Sequence, residues 1–480
     1  MKRIIYTLIL FVFCAVGAAS AQMRTAYFME GSYFRTDLNP ALAPTRGYIQ
    51  MPGVGALGLS MNNNFLSVDN LFYKRDGQVV SFLNNAVSAD DFLKKLPNTG
   101  KLSTNFSTNI IGFGAHTKKL FWNVGIGLRS HTEVAMKKDM FTALKNLGAG
   151  QYDMSGTYIG NTEYLETYVG FAIPIKEWVS IGFRVKGLLG VLDMAADINT
   201  MNAAITPDAV RAQFLGTIRA NSFLFNGAYP AGAGLTADKL LRPDLNSMLS
   251  AIKSGGAAID LGAEFRLLDD QLRVSASVTD LGFICWYKGS TINANSTGSF
   301  LYKGFNLASG DVEADGKFDA EMTPSQGAYT RRLSCALNAG VEYNILNNHI
   351  AFGLLSHTEF CNAFTTTELT ASVNFRIGRW LSTSFSHTFL NRNVPGTFGW
   401  ALNIHPAGFN FFVGADFIDV RFAKYDSIPV PKMLKSANLY VGLGFNLGRA
   451  KYMSCMKDVI ARDEAKRAAR KAKRDAKKGA

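Results

Sequence analysis

Tight turns alternate with long connections along this chain, and that asymmetry limits the possible folds more than any other feature. Four residue pairs, Lys118-Lys119, Asp269-Asp270, Asn347-Asn348 and Gly378-Arg379, each join two long runs in which apolar and polar residues alternate. Lys176-Glu177 and Pro406-Ala407 supply two further tight turns on the same side. On the other side the connections are mostly long: 61–102, 134–160, 193–255 and 287–330. Short turns at one end and long loops at the other are the pattern of a bacterial outer-membrane β-barrel. Threading the chain through the turns starts upward strands near residues 47, 120, 178, 270, 348, 380 and 408, and downward strands near 103, 161, 256, 331, 363, 394 and 437. That gives fourteen strands, an even number as single-chain bacterial barrels require. The tight turns would then be periplasmic and the long loops external.

Parity assigns the faces, because successive side chains of a strand point to opposite sides. Within 123–133, Val124, Ile126 and Leu128 share one face, while Asn123, Gly125, Gly127, Arg129, His131 and Glu133 share the other. Within 178–187, Val179, Ile181, Phe183 and Val185 oppose Ser180, Gly182, Arg184 and Lys186. In 369–377, Leu369, Ala371, Val373, Phe375 and Ile377 oppose Thr370, Ser372, Asn374 and Arg376. A soluble sheet alternates in the same way. What favours a barrel is the number and length of these runs and the frequent glycine on the polar face. On this phase Val373→Arg would face hydrocarbon, and Asn374→Arg would be tolerated in a polar lumen.

Composition agrees. Hydrophobic residues make up 48% of the chain and 35 are Phe, yet no run after the N-terminus approaches the ~20 apolar residues of a spanning helix. The N-terminus has Lys2 and Arg3, an apolar run over 4–16 and the small residues of 17–21. It reads as a signal peptide cleaved after Ala21. Phe13 before Cys14 does not suit lipidation. The formal charge of +13 misleads. Residues 451–480 hold 11 Lys/Arg against 4 Asp/Glu, and Lys2 and Arg3 leave with the signal, so the body carries only +4. Nucleic acid is not an expected partner. Cys285, Cys335, Cys361 and Cys455 remain after processing without CxxC spacing. Export permits disulfides, but nothing selects a pairing.

Thr36-Asp37-Leu38-Asn39-Pro40-Ala41-Leu42-Ala43 resembles the Asn-Pro-Ala segment near the N-terminus of proteins related to the FadL long-chain fatty-acid transporter, a group that includes a secretion-system shuttle barrel. Ser277-Val278-Thr279-Asp280-Leu281-Gly282-Phe283-Ile284 resembles a second segment that recurs in a family of such barrels without assigned function. The resemblance covers roughly 22–448, and fourteen strands match it. It implies a lumenal plug made of Gln22–Arg46, and release of apolar ligands sideways through a strand defect. The segment's composition allows a plug: Pro40 and Pro44 break regular structure, and Tyr27, Phe28, Tyr33, Phe34 and Leu38 are bulky enough to fill a bore. A disordered periplasmic lead-in is the alternative. No fatty-acid site can be matched residue by residue.

Two stretches echo one another. Gly127-Leu128-Arg129-Ser130-His131-Thr132-Glu133 and Gly353-Leu354-Leu355-Ser356-His357-Thr358-Glu359 both end upward strands and place His and Glu on the lumenal face near the outer rim. Imidazole and carboxylate suit Zn²⁺, but pairing with neighbouring Arg across strands is the simpler expectation. His387 in Ser386-His387-Thr388 faces outward by parity. No Gly-x-Ser-x-Gly elbow precedes a helix and no His-Glu-x-x-His occurs, so no catalytic residue, cofactor or metal is expected. Gly125-x-Gly127 and Gly442-x-Gly444 lie inside strands, as thin or closely packed places in the wall.

The sequence therefore predicts an all-β transmembrane antiparallel barrel of about fourteen strands in four parts. These are a signal peptide (1–21), an N-terminal plug segment (22–46), the barrel (47–448) and a periplasmic basic tail (449–480). In the last strand Gly442, Phe445 and Leu447 resemble the terminal signal read by the barrel-insertion machinery, a partner together with outer-membrane lipid. The Ala/Lys/Arg-rich tail suits a helix or a solvated segment that could grip an acidic partner. The plug and lumen candidates are Asn39, Pro40, Ala41, Arg129, His131, Glu133, Arg184, His357, Glu359 and Arg376. Two functions fit. One is a FadL-like conduit for a hydrophobic small molecule, with an apolar pocket beside the plug. The other is a structural or shuttle barrel binding a periplasmic or surface protein, through outer loops longer than passage requires.

Overall fold

A computed structural model describes residues 24–450, apart from 66, 76–77, 85, 147–149, 207–208, 225–244, 251, 303–315, 325–326, 378–379, 391–396, 419–421, 426–427 and 432–435, and a few positions within 465–475. The expected signal peptide, Gln22, the Gly378-Arg379 turn and nearly all of the basic tail lie outside the described residues.

Fourteen antiparallel strands close into a barrel. In chain order they are β1 (Gly47–Gln50 and Ala56–Asn63), β2 (Thr99–His116), β3 (Phe121–Lys137), β4 (Thr157–Lys176), β5 (Val179–Thr206), β6 (Gly255–Leu267) and β7 (Leu272–Trp286). There follow β8 (Tyr329–Arg332 and Cys335–Ile345), β9 (Ile350–Phe360), β10 (Thr365–Ile377), β11 (Leu381–Leu390), β12 (Thr397–Ile404), β13 (Asn410–Ile418) and β14 (Ser436–Leu447). Closure comes from β14, which pairs with both pieces of β1, Tyr48 opposite Asn446 and Leu57 opposite Val441. No helix among the described residues is long and apolar enough to cross a membrane. The sequence-derived strand starts agree with these bounds.

The assigned phase holds around the wall. Val185 (53% exposed), Leu261, Leu369, Phe385 and Phe445 point outward, while Arg184, Asp260, Thr370, Ser386 and Asn446 are buried inside. Two of the tight turns form because their residues tolerate left-handed backbone. Leu268, Asp269 and Asp270 have φ of 52°, 55° and 68°, and Leu346, Asn347 and Asn348 repeat this with 51°, 53° and 66°. Asp and Asn adopt that region more readily than most residues.

Strand length divides the wall. Strands β9 to β13 have 8–13 residues, close to the 9–11 that a tilted strand needs to cross a bilayer. Strands β2 to β5 have 18, 17, 20 and 28 residues and rise well beyond it. The top of β5 continues into a ridge with strands Ala209–Ser222, Thr291–Tyr302 and Gly316–Pro324, paired in that order. The described residues of 193–255 and 287–330 are therefore largely sheet at the long-loop end, where loops were expected. Nearby, Phe65, Phe92, Leu96 and Phe141 form an apolar cluster over the connection between β1 and β2.

The lumen is filled. Residues 24–46 lie inside the barrel, and Tyr27, Phe28, Met29, Tyr33, Phe34, Leu38 and Leu42 build its main apolar core with Tyr48, Phe121, Phe412 and Tyr440 from the wall. This corrects one expectation. Asn374 does face inward, but it is only 1% exposed and bonded to Ser372 and Ser384. A lumenal address here is an interior position without room for an arginine.

Candidate lumenal site

Three sets of buried charges fasten the N-terminal segment to the wall. Nearest the short-turn end, Glu30 meets Arg273 Nη2 at 2.6 Å and Arg376 Nη2 at 3.5 Å, and accepts from Asn348 Nδ2 at 3.0 Å. Arg376 also donates to the Phe28 carbonyl at 2.9 Å. Glu342 balances both arginines, at 3.0 Å from Arg273 and in contact with Arg376. Burial alone would raise the Glu30 carboxyl, but Arg376 and Arg273 override it and hold the group well below the carboxylate range. In the middle of the barrel, Arg184 pairs with Asp37 at 2.7 Å and donates to the Thr36 carbonyl at 3.0 Å, its guanidinium lying 4.4 Å from the Tyr168 ring centroid. Further up, Arg24 pairs with Glu368 at 2.6 Å, and the Arg24 and Thr25 amides both donate to Asp416 at 3.2 Å.

The two sequence segments that carried the resemblance meet here. Asn39, fully buried, donates from Nδ2 to the carbonyls of Ala263 (3.4 Å) and Ala276 (3.3 Å), and its Oδ1 accepts from the Ala41 amide at 2.9 Å. The Leu38 carbonyl accepts from Ser277 Oγ at 2.6 Å and Asn338 Nδ2 at 2.9 Å. The lumenal glycines make this contact possible. A Cβ on Gly182 would collide with the Pro40–Ala41 peptide, and one on Gly262 with the Asn39 side chain.

Above Phe34, Asp37 and Leu38 lies a cavity of about 110 Å³. Four cations (Arg129, Arg184, Lys186, Arg332) and four acids (Asp37, Glu166, Asp280, Glu359) share its lining with the apolar Phe34, Leu38 and Leu333. The charges are largely paired: Arg129 with Glu166, and Lys186 with Asp280 at 2.6 Å and Asp260 at 2.9 Å. Asp280 reaches in because β7 bulges there, with φ of 60° and its amide donating to Asp260 at 2.7 Å. The apolar pocket expected of a conduit is thus replaced by a mixed, heavily charged one.

Toward the long-loop end the lumen pinches. Glu133 of β3 accepts from Asn362 Nδ2 and the Ala363 amide at 2.9 Å each and meets Arg331 at 3.3 Å, while Arg331 also holds Asp193 at 2.8 Å. Strands on opposite sides of the barrel touch here. The echoed His-x-Glu pairs face each other across this pinch, His131 Nδ1 lying 4.0 Å from Glu359. The expected arginine partner exists for Glu133 alone of these four. His357 bonds Asn338 at 2.6 Å through Nδ1, and its Nε2 has no partner. His387 is on the outer face against Phe389 and Phe398.

The wall bulges outward within β1. Between the two pieces of β1, Met51, Pro52, Gly53 and Val54 swing out and are exposed, with Gly53 at φ of 74°. Gly53 N still donates to Ile110 O (3.1 Å), and Val54 O accepts from Leu443 N (3.1 Å). Directly inside, Tyr33 donates to the Gly55 carbonyl at 2.6 Å, and Phe34 lies so close to Gly442 that a Cβ there would enter its ring. Tyr33 stacks on Tyr48 at 4.6 Å, and Phe34 packs on Phe412 at 4.9 Å.

All ten candidates named from sequence are thus lumenal. Asn39, Pro40, Ala41, Arg184 and Arg376 belong to the contact between N-terminal segment and wall, and Arg129, His131, His357 and Glu359 line the cavity. Glu133 sits in the pinch. Sequence reasoning missed Glu30, Asp37, Asp260, Asp280, Arg273 and Asp416. The signal available was Glu30 and Asp37 standing among aromatic residues in a segment expected to be buried.

The model of a family of unknown function, DUF5723, matches residues 40–416. The chain belongs to that family. No curated protein matches it. Among solved structures, the DUF5723 chain is similar to the P. putida toluene transporter TodX (8% identity, TM-score 0.37, covering 86% of this chain and 93% of that one). It is also similar to the monoaromatic hydrocarbon channel CymD (10%, 0.35, 92% and 99%) and to the translocator domain of autotransporter NalP from Neisseria meningitidis (8%, 0.30, 89% and 99%). The likeness is one of barrel architecture, and the cargoes in those names belong to those proteins.

Proposed function

We propose that this protein is an outer-membrane conduit for a small molecule with an apolar body, and that residues 22–46 are its plug. The observation that carries the reading is the outward bulge of β1 at Met51–Val54, backed from inside by Tyr33 and Phe34 of the N-terminal segment. An aromatic face beneath this outward bulge of the lipid-facing wall would give an apolar solute a sideways route into the bilayer once the bulge parts from its neighbours. Phe34 also floors the charged cavity, so it touches both the cavity and the wall beside the bulge. A mixed lining favours an amphiphile over a pure hydrocarbon. Its polar group would exchange hydrogen bonds with the cavity charges while its apolar part meets Phe34, Leu38 and Leu333. Small shifts of the Tyr33–Phe34 stretch would join the cavity to the parted bulge.

Deleting 22–46 tests this. The fourteen strands and the terminal strand remain, so a folded, heat-modifiable barrel is expected, now conducting ions in planar bilayers where the full chain does not. A folded deletion that stays non-conducting ends the plug reading. Mass spectrometry of solvent extracts from the detergent-purified full chain should detect a co-purifying amphiphile.

The ridge of long strands beyond β5 favours a second reading, a scaffold that binds a surface protein. Trimming 209–222 with 291–324 would then abolish co-purification of that protein while leaving small-molecule content unchanged.

A further inference from the structure

The pinch brings together three side chains whose joint chemistry neither the plug nor the passage uses. A ring nitrogen of His131, a Glu359 carboxylate oxygen and the Cys361 thiol all lie within 4.8 Å of one another. Imidazole nitrogen, carboxylate oxygen and thiolate sulfur are the three protein ligand types of zinc, with bond lengths of about 2.0–2.3 Å. Closing on one ion needs ligand movements of only about 1 Å.

The surroundings are arranged as around a metal. His131 Nε2 lies 2.9 Å from Ser334 Oγ. The Nδ1 of the same ring bonds the Asn105 side-chain oxygen, which only accepts, so Nδ1 donates and Nε2 presents the lone pair with which the ring can ligate, the kind of outer partner that fixes a tautomer. Asn105 Nδ2 donates to Glu359 Oε1 at 3.2 Å and orients the carboxylate. Cys361 is held by its backbone on both sides: its amide donates to Phe364 O at 2.9 Å, and its carbonyl accepts from Arg332 at 2.6 Å. The thiol is 2% exposed and free of any disulfide. In the adjoining cavity the buried His357 leaves Nε2 unpartnered.

We propose that His131, Glu359 and Cys361 form a transition-metal site of the zinc class, fastening β3 to the end of β9 across the lumen. Binding exchanges the Cys361 thiol proton, released to water, for a metal–thiolate bond. The fourth position opens onto the cavity, where a water or a ligand group completes the tetrahedron. The site stands whether or not the barrel conducts. It also gives the echoed His-x-Glu stretches a shared purpose, since one copy supplies the imidazole and the other the carboxylate.

Cobalt reports on it directly. Full-chain protein in detergent, stripped with chelator and titrated with Co²⁺ alone, should bind one equivalent and develop a near-ultraviolet thiolate-to-cobalt band that Zn²⁺ removes. C361S should abolish the band. H131Q and E359Q should each weaken binding by more than the roughly 10- to 100-fold that loss of an orienting partner costs. Joint replacement of Cys285, Cys335 and Cys455 by Ser should leave the band intact. All variants are scored as the heat-modifiable folded form, and if C361S does not fold, the two other ligand variants decide the matter. Zn²⁺ should also raise the unfolding temperature of the full chain but not of the ligand variants. The site is refuted by absence of a thiolate band in the full chain, by a band that survives C361S, or by one lost in the triple cysteine variant. It is equally refuted by H131Q and E359Q proteins that bind cobalt as the full chain does.

Discussion

Replacing Glu30 by Ala should loosen the plug at its lower anchor. Glu342 is the other carboxylate within ion-pair distance of both Arg273 and Arg376, so loss of Glu30 leaves these two buried guanidinium groups under-compensated. Removing one partner of a buried ion pair costs about 3–5 kcal/mol. At about 1.36 kcal/mol per decade, that shifts the ratio of docked to undocked plug by roughly 150- to 5,000-fold. Arg184–Asp37 and Arg24–Glu368 remain, so the expected phenotype is brief, repeated openings in planar bilayers with the barrel itself intact. Glu30→Ala with Asp37→Ala removes two anchors and should open further. The pH dependence has a definite sign. Docking holds the Glu30 carboxyl below its ordinary value of 4.5, so its contribution is present above that pH and fades as pH falls below it. Loss of this contribution should raise leak through the unaltered chain on acidification below that value. A folded double variant as silent as the unaltered chain would refute the assignment of these charges as plug anchors.

Other outcomes follow from the same geometry. Val373→Arg, at mid-strand on the lipid face, should cost folded-barrel stability about 2–4 kcal/mol in urea titrations in lipid. Asn374→Arg should also be damaging, because the side chain has no free volume around it; a fully stable N374R barrel would mean the lumen is roomier than described. Gly182→Val places a side chain where the Pro40–Ala41 peptide sits. It should leave a folded but leaky barrel, at a docking cost of about 1–3 kcal/mol, and tight closure in bilayers would argue against that contact. An epitope inserted in 225–244 should label on intact cells, while one at the exposed Lys118-Lys119 turn should not. The opposite labelling would invert the orientation.

Local patterns in the sequence determined the wall. Alternation needs only the period of a strand, and turns need only residues such as Asp269, Asp270, Asn347 and Asn348 that accept left-handed backbone. Strand number, phase and the side carrying the short turns were therefore legible. So were the lumenal addresses of Arg129, Arg184 and Arg376. Parity, however, states which way a side chain points and not what it meets. Thr25 meets Asp416, 391 residues away, and Arg376 meets Glu30 across most of the chain; no local rule encodes either. The filled lumen reversed the expectation for Asn374, and the long β5 turned an expected loop into sheet because backbone pairing continued above the membrane. The glycines of the polar face were visible as a pattern, but their reason lay in the Asn39–Pro40–Ala41 backbone pressed against them. The meeting of His131 with Glu359 and Cys361 depends on how the closed wall is pinched, a property of the whole cross-section that no single strand contains.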